Sequence, residues 1–170
     1  MRLFIAIPCD DYLVKPLQQM QRVWQTLGMR GHATPPGNMH LTLAFIGEYP
    51  RPGDVFAALE TLPLPSVTLE LEGVGSFRDT YWVGIAPDED LLAYVKRLRR
   101  SLAERGIPYD KKRFAPHITL VRRAEFSGSL ASLLTQPPVG RTRLREVTLL
   151  ASTRGKNGMI YTPLGSVTAQ

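Results

Sequence analysis

Apolar residues along this 170-residue chain switch between a short, strand-length spacing and a helical one, and the switches lay out its elements. Leu3 to Ile7 is a compact apolar run that predicts a strand. Leu13, Leu17, Met20, Trp24 and Leu27 follow at steps of four and three, the helical period, behind Asp10 and Asp11, either of which can cap the helix start. Gly28 and Gly31 end that helix. Pro35-Pro36-Gly37-Asn38 reads as a turn, and Met39 to Ile46 as a strand that stops at Gly47. Arg51-Pro52-Gly53 opens a short helix with Val55, Phe56 and Leu59, which Pro63 and Pro65 close; Val67 to Val74 then alternates as a strand.

The second half repeats this order. Tyr81 to Ile85 predicts a strand, Asp88 to Arg105 a helix with Leu91, Leu92, Val95, Leu98 and Leu102 on one side, and His117 to Val121 a strand. Ser127 to Leu134 predicts a short helix and Glu146 to Ser152 a strand, with Tyr161 to Leu164 as an edge strand after the Gly155 to Gly158 loop. Ile5 lies 35 positions before His40, and Val83 lies 34 before His117, so spacing repeats as well as type. The expectation is one domain, residues 1–170, of two intertwined pseudo-symmetric lobes with approximate halves 1–77 and 78–170. Gly73 to Thr80 is the expected crossing between them.

One string occurs in both halves: His40-Leu41-Thr42-Leu43 and His117-Ile118-Thr119-Leu120, 77 positions apart. In a strand, residues i and i+2 project from the same face, roughly 6.5 to 7 Å apart, so each His-Thr pair shares a face while the intervening apolar residues take the other. Two imidazoles that ionise near ~6.5 can supply one proton acceptor and one donor at neutral pH, the division that in-line cleavage of a phosphodiester needs. Thr42 and Thr119 can donate to the non-bridging oxygens, where charge must be held in the transition state. A single His-x-Thr is weak and is usually structural; two matched copies set in apolar strands point to a site, because a buried polar pair without partners is costly. A zinc site is the competing chemistry, but the two motifs supply two ligands where zinc takes three or four. His32 could add one, yet its glycine-rich turn reads as surface. No metal and no cofactor is required.

Bulk properties narrow the classes. No stretch approaches 18 apolar residues, and the apolar run after Met1 is too short for a secretory leader, so neither a membrane span nor an exported chain is expected. The lone Cys9 offers no disulfide framework and reads as packing, consistent with the cytoplasm. Length and charge leave a monomer as the default. A net charge of +6, carried mostly by arginine, biases the partner toward an anion, since guanidinium forks match phosphate oxygens.

These residues resemble the two-histidine (2H) phosphoesterase superfamily, with its two His-x-Thr/Ser-x motifs, and within it the RNA 2',3'-cyclic phosphodiesterases, also called 2'-5' RNA ligases. The likeness runs through Arg2-Leu3-Phe4-Ile5-Ala6-Ile7, Asn38 to Gly47 and Phe114 to Arg122, and touches Gly73 to Phe77 and Ser152 to Tyr161, so it spans essentially the whole chain. It implies an α+β fold, bilobal with a pseudo-two-fold: two antiparallel sheets face a central cleft, with helices on the outside. It implies opening of an RNA 2',3'-cyclic phosphate, or of a small cyclic nucleotide, to leave a 2'-phosphate. His117 would be the general base and His40 the general acid, roles that the repeat alone does not assign. The alternatives are 2'-5' ligation of tRNA halves, another small cyclic phosphate, or a non-catalytic RNA-binding module.

Around the motifs, Phe114 is placed either to stack on a base at the cleft rim or to pack in the core. Phe45, five positions after His40, points away from the site if its strand stays regular, which predicts core packing. Arg122 ends the second strand in a structural or substrate-side position, while Arg123 reads as solvent-facing. Arg154 and Lys156 ride the glycine-broken loop, where mobile positive charge can seat an RNA end.

Overall fold

β1 (Arg2–Pro8) is buried along five consecutive residues, Leu3 to Ile7, which marks an inner strand covered on both faces. Asp10 then caps α1 (Asp11–Thr26) by accepting from the Leu13 amide at 3.3 Å. Leu13, Leu17, Met20 and Trp24 are buried on one side of that helix, each contributing roughly 1.5–3 kcal/mol. Gly28, at φ +101°, ends it in a conformation that a side chain would resist.

The computed structural model describes residues 1–169. After α1 come β2 (Arg30–Ala33), β3 (His40–Glu48), α2 (Pro52–Glu60), β4 (Thr68–Phe77), β5 (Thr80–Ile85) and α3 (Glu89–Glu104). β6 (His117–Glu125), α4 (Leu130–Leu133), β7 (Arg141–Arg143), β8 (Glu146–Gly155) and β9 (Gly158–Thr168) complete the order. The strands form two antiparallel sheets, β3-β1-β8-β9 and β2-β6-β5-β4-β7. The histidine strand neighbours the half's first strand in both: β3 beside β1, β6 beside β5. β8 and β9 then extend one sheet as β4 and β7 extend the other, which is the expected pseudo-two-fold.

Each sheet takes strands from both sequence halves. The long helices cross over as well: α1 packs on β6 and β7, whereas α3 packs on β3 and α2. Each histidine strand is therefore backed by the helix of the other half. Gly73 to Thr80 is no loose crossing; it is the β4–β5 hairpin, with Phe77 opposite Thr80 across a two-residue turn.

Three strands depart from the pattern. β2 and β7 carry no apolar alternation, and all four residues of β2 are exposed; they form because β6 and β4 offer them open edges. Gly31 suits β2's close approach, since a Cβ there would lie 2.9 Å from Ala124 Cα. β9 is longer than Tyr161 to Leu164, and Pro163 is tolerated there because the strand is an edge. α4 is shorter than expected, and Leu27 and Leu92, placed on the apolar sides of their helices, are 42% and 39% exposed. No helix among the described residues is long and apolar enough to cross a membrane.

Candidate active site

Both histidines are held in the same way. His40 Nδ1 bonds the Asn38 carbonyl at 2.7 Å, and His117 Nδ1 bonds the Ala115 carbonyl at 2.6 Å, in each case two residues back along the chain. A carbonyl only accepts, so Nδ1 carries the proton and Nε2 is left to take or give one. The 3-10 turn Pro36–Asn38 sets up the first anchor and Ala115-Pro116 the second.

Each histidine strand then bulges at the same place. Ala6 pairs with Thr42 but Ile5 with Ala44, which leaves Leu43 as an extra residue. Trp82 pairs with Thr119 but Tyr81 with Val121, which leaves Leu120 extra. An extra residue inverts the alternation beyond it. Leu43 and Ala44 are buried together, as are Leu120 and Val121, and the fifth residue after each histidine returns to the histidine's side. This corrects the expectation for Phe45: it is 37% exposed beneath the Arg2 guanidinium, 5.4 Å from its ring centre, rather than in the core. The same inversion carries Arg122 into the cleft.

A helix side chain donates to the carbonyl of each bulged leucine, and the Leu120 carbonyl also accepts from the Thr34 amide at 2.8 Å. Gln21 on α1 donates from Nε2 to the Leu120 and Thr34 carbonyls, both at 3.0 Å. Arg99 on α3 donates to the Leu43 carbonyl at 3.3 Å and to Lys112 O at 2.7 Å. Phe114 belongs to this second clamp: its ring packs against the core and beneath the Arg99 guanidinium, and it is not among the residues lining the cleft.

The two imidazoles sit in unlike surroundings. His40 is half-buried between Phe4 and Tyr161, with ring centres 5.0 and 5.3 Å away. That burial pushes its pKa below the ordinary 6.5; the Asn38 carbonyl opposes the shift, and the nearby charges of Arg122 and His117 add to it. His117 is exposed beside Trp82, 5.3 Å between ring centres. The indole lies over Gly75, where a Cβ would overlap it. Cys9 is a packing residue, its thiol pushed up to about 12 by burial and, less, by Asp10.

A cleft of about 910 Å³ opens at this site. His40, Thr119, Arg122, Arg123, Arg154 and Lys156 line it, joined by Tyr161 and His32. Asp79 is the one carboxylate in its walls. None of its cations is ion-paired among the described residues, so the cleft is a positive cavity suited to an anion. His32, read as surface turn, stands beside Arg122 in the β2–β6 register. Thr42 and His117 are not lining residues; β3 and β6 nevertheless approach each other, and the His117 charge acts on His40.

A sequence profile of the 2'-5' RNA ligase superfamily matches residues 14–156, a span that holds both histidine strands and ends at the cleft's Lys156. The chain belongs to this superfamily. That agrees with the resemblance carried by the two motifs. This superfamily member is 32% identical over 142 residues to the RNA 2',3'-cyclic phosphodiesterase of Escherichia coli (strain K12), covering 79% of this chain and 77% of that one. It is 27% identical over 174 residues to the RNA 2',3'-cyclic phosphodiesterase of Thermotoga maritima, covering 95% and 91%. Its fold matches the crystal structure of E. coli LigT complexed with 3'-AMP at a TM-score of 0.83, with 28% identity over 99% of this chain and 97% of that one. The MHV ns2 PDE domain, at 13% identity and a TM-score of 0.65 over 96% and 99%, shares the fold alone.

The two motifs by themselves do not point to Phe4, Trp82, Tyr161, Gln21 or Arg99. Gln21 leaves a trace in the sequence, a polar residue on the buried stripe between Leu17 and Trp24. The aromatic neighbours leave none, because only the arrangement of strands distant in sequence brings them to the histidines.

Proposed function

We propose that this protein opens 2',3'-cyclic phosphates at RNA ends, leaving 2'-phosphates, with His117 as general base and His40 as general acid. The observation that carries the reading is the matched pair of Nδ1-anchored histidines beside one positive cleft. The relatives named RNA 2',3'-cyclic phosphodiesterase support it. His117 Nε2 takes a proton from water as the water oxygen bonds phosphorus. The P–O3' bond breaks, and His40 Nε2 gives its proton to O3'. Thr42, Thr119 and Arg122 hold the non-bridging oxygens, while Arg154 and Lys156 seat the neighbouring strand.

The unequal surroundings suit these roles. A substrate phosphate beside His40 stabilises its imidazolium, so binding itself loads the acid. Exposed His117 faces solvent, from which the water comes. We take the chain to act as a cytoplasmic monomer, in keeping with its single, half-buried thiol.

The deciding experiment incubates purified protein, in excess EDTA, with a short RNA ending in a 2',3'-cyclic phosphate and separates the two phosphate isomers. The 2'-phosphate is expected, with loss of about 10³-fold or more in His40→Ala and His117→Ala, the scale of an acid–base group. Wild-type rates in both variants would sink the proposal. A substrate with an activated leaving group is expected to rescue His40→Ala preferentially; rescue of His117→Ala instead would exchange the two roles.

A further inference from the structure

We propose that Phe77, at the tip of the β4–β5 hairpin, is a base-stacking subsite for the RNA strand running back from the cyclic end. This rests on the RNA activity proposed above and extends it from the terminal nucleotide to its neighbour.

Phe77 is 68% exposed, an unusual position for a large aromatic ring. Register fixes the face it takes. Phe77 pairs with Thr80 and Gly75 with Trp82, so by alternation Phe77, Thr80 and Trp82 share one face, while Tyr81 turns the other way onto Trp24 and Phe126. That face is the cleft side: Asp79 and Thr80 line the cleft, and Trp82 lies beside His117. Phe77 and Trp82 are diagonal neighbours, typically ~7–8 Å apart. Stacked nucleotides rise only about 3.4 Å, so a strand reaching from one ring to the other must be drawn open, as single strands are on aromatic platforms.

The tip is held in place. Arg78 adopts φ +57°, unusual for a residue with a side chain, and its guanidinium carbon lies 6.0 Å from the Phe77 ring centre. The Ala124 amide donates to the Asp79 carbonyl at 2.9 Å, tying the turn to the strand that carries His117. A cation over one side of the ring leaves the other for a base and offers a partner for the adjoining phosphate. Asp79 is the one acid at this corner of the cleft, set against Arg122 and Arg123. The occupant is therefore a nucleobase joined to phosphates, continuous with the end bound in the cleft.

The test compares Phe77→Ala, Phe77→Trp and Arg78→Asn on a cyclic mononucleotide and on a pentanucleotide with a 2',3'-cyclic end; Asn tolerates the left-handed turn while removing the charge. For Phe77→Ala, KM on the pentanucleotide is expected to rise about tenfold, within the range of one lost base stack. Its kcat and its mononucleotide kinetics stay within twofold of wild type. Phe77→Trp restores KM, and Arg78→Asn weakens pentanucleotide binding with a shallower salt dependence. A pentanucleotide bearing 2-aminopurine next to the 3' end and a 2'-phosphate terminus is quenched by wild type and not by Phe77→Ala. Equal KM values and equal quenching in wild type and Phe77→Ala would overturn the subsite. So would loss of self-association in Phe77→Ala with RNA handling unchanged, which would give the ring to a second copy of the chain. If wild type opens neither substrate, the proposed activity fails, and the quenching titration still decides the stacking.

Discussion

His40 shows how one side chain reports on its surroundings. Desolvation between Phe4 and Tyr161 is the largest cause of its lowered pKa, and Arg122 and His117 lower it further. A neighbouring cation penalises the imidazolium, so removing it raises the pKa; a neighbouring anion stabilises the imidazolium and also raises it. In an NMR titration of the Cε1 proton, His40 is therefore expected to ionise below 6.5 in the free protein. It should move upward in Arg122→Gln and upward again when a nucleoside 2'-phosphate binds. A free-protein midpoint at or above 6.5, or no rise with ligand, would remove the case for substrate-loaded acid catalysis.

Among the elements, the two bulged strands matter most. Their motifs are plain in the sequence, but the extra residues Leu43 and Leu120 are ordinary leucines in apolar runs. Only pairing with β1 and β5 exposes the mismatch, and only then does the fifth residue after each histidine change sides. That is why Arg122 faces the cleft and why Phe45 leaves the core expected of it. Gln21 and Arg99 brace the bulged carbonyls from helices distant in sequence, Gln21 alongside the Thr34 amide at Leu120 and also at the Thr34 carbonyl. Losing the Gln21 amide strips the Thr34 carbonyl of its side-chain donor and leaves the Leu120 carbonyl with the Thr34 amide, a cost of about 1–3 kcal/mol. For a chain of this size that amounts to a fall of roughly 2–4 °C in Tm per kcal/mol, which thermal unfolding of Gln21→Ala reads directly. Steady-state kinetics of the same variant should lose kcat more than KM, because the strand carrying Thr119 and His117 loosens while the cleft's cations remain. An unchanged kcat in a measurably destabilised Gln21→Ala would confine the amide to a purely structural role.

At the scale of the whole molecule, neither half can fold by itself into a finished lobe. The first sheet needs β8 and β9 from residues 146–168, and the second needs β2 and β4 from the first half, while the long helices are exchanged between sheets. The two sides of the cleft are thus joined through shared strands rather than a linker, which keeps the two histidines in fixed relation. Urea unfolding followed by far-UV circular dichroism and by tryptophan fluorescence is expected to give one coincident transition. Trp24 reports the helix packing and Trp82 the cleft. Separate midpoints would mean that the sheets melt independently.

Much of this was legible from sequence because it is local. Strand and helix periods, the cap offered by Asp10, the turns before each histidine and the repeated His-x-Thr depend on residues within a few positions of one another. The same repeat predicted pseudo-symmetric lobes, the motifs were specific enough to suggest the family, and that resemblance supplied the two antiparallel sheets. What tertiary structure decided is everything that depends on register between distant segments. Edge strands β2 and β7 exist because partners recruit them, Phe114 serves Arg99 rather than the cleft, Trp82 comes beside His117 through cross-strand pairing, and Tyr161 meets His40 from the far edge of the sheet. Periodicity records which residues avoid water; it does not record which strand lies beside which, and a single extra residue in a ladder changes what every later side chain meets.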